Sequence, residues 1–103
     1  MSKSVCEYRI TVIMPGYGSD EEAAEDLLEA YLQTHPEVGP VVSLHSGDDT
    51  IAVTLAVDAV SRQRALDLAT DIWRTGKKSS GLDLGEPIRT EIERVSGPAT
   101  AAA

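Results

Sequence analysis

The sequence predicts an α+β sandwich built in the order βαββαβ, and three observations carry that reading. Residues 5–14 and 50–57 alternate apolar and polar side chains with period two and are rich in β-branched residues, the pattern of half-buried strands. Two further segments, beginning near Ser19 and near Asp58 or Ser61, place apolar residues at helical spacing. The chain has 103 residues, 42% hydrophobic and 25% charged, which is enough for one buried core and too little for two domains. Residues 1–95 are expected to form that domain, and 96–103 a frayed tail.

The elements follow in order. In the first strand Cys6, Tyr8, Ile10, Val12 and Met14 share one face, and Glu7, Arg9, Thr11 and Ile13 the other. Pro15, Gly16, Tyr17 and Gly18 break it. Ser19 followed three residues later by Glu22 is a capping box, with Ser19 as the N-cap. The helix that follows should run to about Thr34, with Ala24, Leu27, Leu28 and Tyr31 as its buried stripe. His35 and Pro36 stop it, because a residue before proline avoids the helical region.

A second strand is expected over 38–46. Gly39 and Pro40 mark it as an edge, since proline cannot donate to a ladder. Gly47, Asp48 and Asp49 make a hairpin turn into the strand at 50–57. The second helix should bury Ala65, Leu68, Ala69 and Ile72, with Leu66 and Trp73 on its flank. Gly76 is placed to cap it, and Lys77 and Lys78 complement its dipole. Residues 79–85 read as a loop tucked in by Leu82 and Leu84, and 88–95 as the last strand.

This element order resembles the ferredoxin-like split βαβ pattern over residues 5–95. The resemblance implies an antiparallel sheet of spatial order 4-1-3-2 with both helices on one face. The covered face would then hold Tyr8, Ile10, Val12, Val42, Leu44, Ile51, Val53, Leu55, Ile88 and Ile92. The open face would show Glu7, Arg9, Thr11, Ile13, Ser43, His45, Ala52, Thr54, Ala56, Arg89, Glu91 and Glu93. The chain as a whole resembles small ferredoxin-like proteins of bacteria, without a specific family motif.

Charge excludes some functions. The net charge is −8, and between residues 10 and 61 there are ten acids and no Lys or Arg. A phosphate-backbone partner is therefore not expected. RNA-recognition motifs share the topology but need aromatic residues on the central strands, where this chain has Arg9, Thr11, Ala52 and Thr54. Acylphosphatases carry an arginine in the first loop, which is absent here. No long apolar run suggests a membrane span, no secretory signal is seen, and a cytoplasmic location is expected. One cysteine excludes an internal disulfide, and Cys6 reads as an inert core residue.

Candidate sites are few. Gly16, Tyr17, Gly18 and Ser19 lead into a helix N-terminus, where free N–H groups bind anions. ACT-like ligand-binding domains use a glycine-bearing loop at this place, so the resemblance implies a small-ligand sensor as one reading. The acids Asp20, Glu21 and Glu22 oppose it, and a tight turn before a capped helix is preferred. Glu22, Glu25, Asp26 and Glu29 form one acidic stripe, a solvated face by default and a docking face for a basic protein partner otherwise. His45 on the open face, near Glu7 or Glu91, is the one candidate catalytic base. Two histidines without ligand spacing suggest no metal, and Asp48 with Asp49 is turn chemistry. No cofactor is expected. Dimeric α+β-barrel monooxygenases and isomerases pair two such sheets around a pocket, which gives an enzymatic alternative centred on His45. The preferred expectation is a non-enzymatic interaction or regulatory module, acting as a homodimer or on a protein partner.

Overall fold

A computed structural model describes residues 4–95 of the chain, so the expected tail at 96–103 lies outside the described residues. The order is β1 (Cys6–Pro15), α1 (Glu21–Thr34), β2 (Val41–His45), β3 (Thr50–Ala59), α2 (Arg62–Ser80) and β4 (Arg89–Arg94), with a 3-10 turn at Pro36–Val38. The four strands make one antiparallel sheet in the order β2-β3-β1-β4. Read from the other edge, this is the expected 4-1-3-2. The architecture is α+β and compatible with a ferredoxin-like fold.

Period-two patterning decides the faces of the sheet. β1 pairs with β3 along its whole length, from Cys6 opposite Ala59 to Pro15 opposite Thr50. The inward residues Tyr8, Ile10, Val12 and Met14 therefore meet Val57, Leu55, Val53 and Ile51. These eight join Leu27 and Tyr31 of α1 and Ala65, Ala69, Ile72 and Trp73 of α2 in one core cluster. Both helices thus cover the same face and leave the other open. Each fully buried Leu, Ile or Val there contributes roughly 1.5–3 kcal/mol.

The helices differ from expectation in phase and length. Asp20, not Ser19, is the N-cap of α1: its backbone is extended and its side chain accepts from the N–H of Ala23 at 3.0 Å. Asp20 N–H donates to the carbonyl of Tyr17, so the turn consumes one more residue before the helix begins. The buried stripe turns with it to Ala23, Leu27, Ala30 and Tyr31, leaving Ala24 and Leu28 half-buried. Gly76 is not a cap. α2 continues to Ser80, so residues 79–80 are helical, and Gly81 takes the left-handed cap position with φ 74°. Leu68, expected inside, is exposed, while Trp73 is buried.

Gly76 is interior because the Tyr31 ring lies directly on it. A Cβ at Gly76 would overlap that ring. The Tyr31 hydroxyl donates to the carbonyl of Trp73 at 2.8 Å, and the Trp73 indole N–H points to Met14 Sδ at 3.0 Å. A glycine at this position is expected as a C-terminal cap, but here close approach of the helices requires it.

Sheet edges depart from expectation too. Val42, Leu44 and Ile92 are only half-buried, because β2 and β4 are the outer strands and the helices sit over the centre. Ile88, expected in the core, is 62% exposed. It lies in a bend ahead of β4, its N–H bonded to the carbonyl of Ile13, and its side chain turns to the open face. Leu84 is buried and Leu82 half-buried, so the loop after α2 is tucked in as expected.

Replacing Gly76 by alanine is expected to destabilise the fold, although alanine is the better helix former by about 1 kcal/mol. Overpacking against Tyr31 costs roughly 1–3 kcal/mol and also threatens the Tyr31–Trp73 bond. Thermal unfolding should show a fall in Tm on the order of 10 °C; an unchanged or raised Tm would contradict the contact.

Burial also pushes the Tyr31 phenol well above its ordinary value. The unfolded phenol ionises near pH 10 while the folded one stays neutral, so this contribution is complete below about pH 10 and declines above it, by up to about 1.4 kcal/mol per pH unit. Urea denaturation between pH 9 and 11 should show that decline shallower in Tyr31→Phe than in the parent.

Candidate functional site

The open sheet face carries the only candidate catalytic residue named from the sequence, and the register fixes its facing. His45 pairs with Thr50, two residues before Ala52, which pairs with Ser43 and with Ile13. His45 therefore stands on the open face, at the end of an edge strand, exposed, with Nε2 3.4 Å from Ser43 Oγ. The expected neighbours are elsewhere. Glu7 pairs with Asp58 at the far end of β1, and Glu91 sits opposite Thr11. No hydrogen bond joins His45 to a carboxylate among the described residues.

What surrounds His45 is a hollow of about 250 Å³ formed with Ile13, Asp48, Thr50, Ile88 and Arg89. The half-buried Ile13 and the exposed Ile88 supply its apolar lining, with an imidazole, a carboxylate and a guanidinium beside them. Asp48 is held in place by the buried Thr50, whose hydroxyl donates to it at 2.9 Å. Arg89 already contacts Glu91 at 2.9 Å, and Arg9 contacts Glu93 at 3.3 Å. These exposed pairs add little stability. The first runs along β4, and only the second crosses between strands as expected. At mid-sheet the Thr11 and Thr54 hydroxyls meet at 3.0 Å. Such a hollow can hold a small polar group or a partner side chain, but it presents no nucleophile–base pair. Asp48 and Ile88 were not foreseen as part of it, since one was read as turn chemistry and the other as core.

The loop Gly16–Ser19 is engaged with the β2–β3 turn. Gly16 N–H donates to the Asp49 carbonyl at 2.7 Å, and Gly18 N–H to Asp49 Oδ1 at 2.8 Å. Asp49 adopts φ 52°, a left-handed conformation that Asp tolerates better than most residues. A Cβ at Gly18 would strike backbone atoms of Asp49, His45 and Thr50, so only glycine fits there. The side chain of Asp49 occupies the place at Gly18 where an external anion would accept. Tyr17 is half-buried against the core, and Ser19 is exposed.

Glu22, Glu25, Asp26 and Glu29 are exposed along α1, and none is in a salt bridge among the described residues. Glu29 accepts from Gln33 at 3.2 Å. No group of three or more His, Cys, Asp or Glu that could hold a metal ion occurs among the described residues. Cys6 is half-buried against the core. No described helix is long and apolar enough to cross a membrane. No family model, no curated protein and no solved structure matches this chain.

Asp49→Ala should destabilise by about 2 kcal/mol in urea unfolding, because the buried Gly18 N–H loses its acceptor. Asp49→Asn keeps an acceptor and the tolerance for positive φ, and should stay close to the parent. Equal losses in both variants would show that the charge, not the hydrogen bond, matters.

Proposed function

We propose that the chain is a ferredoxin-like interaction or regulatory module that self-associates through the open face of its sheet. One observation supports this: that face is covered by no described element, and its surface suits a second copy of itself. Val41 is 57% and Ile88 62% exposed there, and Ile13 lies between Ala52 and Arg89. Arg9 and Arg89 share the face with Glu91 and Glu93, so both signs are present. A two-fold axis sets the same patch against itself, letting each arginine meet a carboxylate of the partner. Two sheets so apposed pack about 10 Å apart, with the apolar residues between them.

The hollow beside His45 favours a second reading. Apposition of two sheets would enclose it, and a chamber with one imidazole at its rim is the setting of a small dimeric α+β-barrel enzyme. In that reading His45 is the base and His45→Gln removes activity while leaving the dimer intact.

Native mass spectrometry and light scattering at micromolar concentration should find a dimer. Ile13→Lys should convert it to a folded monomer, with an unchanged circular dichroism spectrum. Glu25→Lys with Asp26→Lys, on the opposite side of the molecule, should leave the dimer intact. A monomeric parent would remove both readings, and would leave the acidic face of α1 as the surface for a basic protein partner.

A further inference from the structure

A second concavity lies on the helix side, remote from the open face. α2 turns one flank towards β4, but β4 does not close against it. Its inward position 90 is a threonine, and Ile88, which could have plugged the gap, faces the other side of the sheet. The gap lies over Ile10 and Val12, which stay buried beneath it, and is bounded by Leu66 and Trp73 with the polar Thr90, Arg74 and Glu86, a mixed recess of about 140 Å³. Trp73, Arg74 and Glu86 also line an adjoining cleft of about 470 Å³, towards the end of α2. Lys77 and Lys78 border that cleft, with Lys77 Nζ 5.0 Å from the centre of the Trp73 ring.

The charge here runs against that of the molecule. The chain carries −8 overall, yet three of its nine basic residues border one cleft that holds a single carboxylate, Glu86. Among the described residues none of Arg74, Lys77 and Lys78 is in a salt bridge, and Glu86 is not paired with any of them. Lys77 and Lys78 stand in the last turn of α2, where helix carbonyls offset part of their charge. Arg74 lies a turn further back, at the junction of recess and cleft, and a guanidinium is the group best suited to grip a carboxylate with two parallel bonds.

We propose that this groove binds a small monocarboxylate with a short aliphatic body, the chain in the recess beside Leu66 and the carboxylate on Arg74 and Lys77. The recess is too small for a long lipid chain, and an anion without an apolar body would leave it unfilled. The proposal does not depend on self-association, because the groove and the open face lie on opposite sides of the sheet.

Trp73, the only tryptophan, lines both parts and reports occupancy directly. Hexanoate titrated into the full chain should shift its emission saturably, and should move the amide resonances of residues 66, 70 and 90 in heteronuclear NMR. Hexanol should bind at least about tenfold more weakly, a factor that corresponds to roughly 1.4 kcal/mol of carboxylate recognition, and inorganic phosphate, which lacks the apolar body, should also bind more weakly. Arg74→Gln should weaken hexanoate by a similar factor, and Arg62→Gln, at the other end of α2, should not. Thr90→Phe should fill the recess and abolish binding. Three results would overturn the proposal: no saturable response, hexanoate binding unchanged in both Arg74→Gln and Thr90→Phe, or response only to an oligoglutamate peptide, which would make the cleft a protein-docking surface.

Discussion

Tyr31 is the residue on which the arrangement of layers depends. Its ring rests on Gly76, its hydroxyl on the carbonyl of Trp73, and Trp73 in turn reaches Met14 of the central strand. One buried contact therefore sets the distance between the two helices and their seating on the sheet. The hydrogen bond is worth about 1 kcal/mol net. Its larger effect is geometric: the ring needs a helix without a side chain at one position, and the hydroxyl then fixes the depth at which the helix lies.

Much of the rest follows from that seating. With α2 held against α1 on one flank, Trp73 is directed to the other flank, where the sheet's outer strand is short and mostly polar. The same β4 supplies charge to the open face through Arg89, Glu91 and Glu93. Polar residues at an edge strand discourage indiscriminate strand addition. They leave a recess beside Trp73, over a core that stays buried. Elsewhere the β2–β3 turn and the loop before α1 are joined through Asp49 and Gly18.

Strand positions were the most legible part of this chain. β1 and β3 are both central and ten residues long, and every inward position of β3 from Ile51 to Ala59 is buried, although Thr50 and Ala52 on the open side are buried as well. Helix ends were read less well. Ser19 and Asp20 are both good caps, and nothing local says that the turn at Tyr17 delays the helix by one residue. Gly76 was misread because its reason is Tyr31, 45 positions earlier, and no window of sequence contains both. The same applies to the sites. The facing of His45 is open from sequence, because a one-residue slip of β2 exchanges the faces; the pairing with Thr50 decides it, and its neighbours depend on strand order and on a bend at Ile88. The groove beside Trp73 had no sequence signal except the threonine at an inward position of β4.

The order of the sheet also bears on how the chain is made. β1 precedes the other three strands in synthesis, yet it is a central strand, and its two ladders close with residues 50–59 and 89–94. One side of it waits for β3 and the other for β4. The described part of the sheet is thus completed only when its last strand emerges. A chain interrupted in the loop after α2 would carry both helices and three strands, and would still present the bare flank of its first strand to whatever it met.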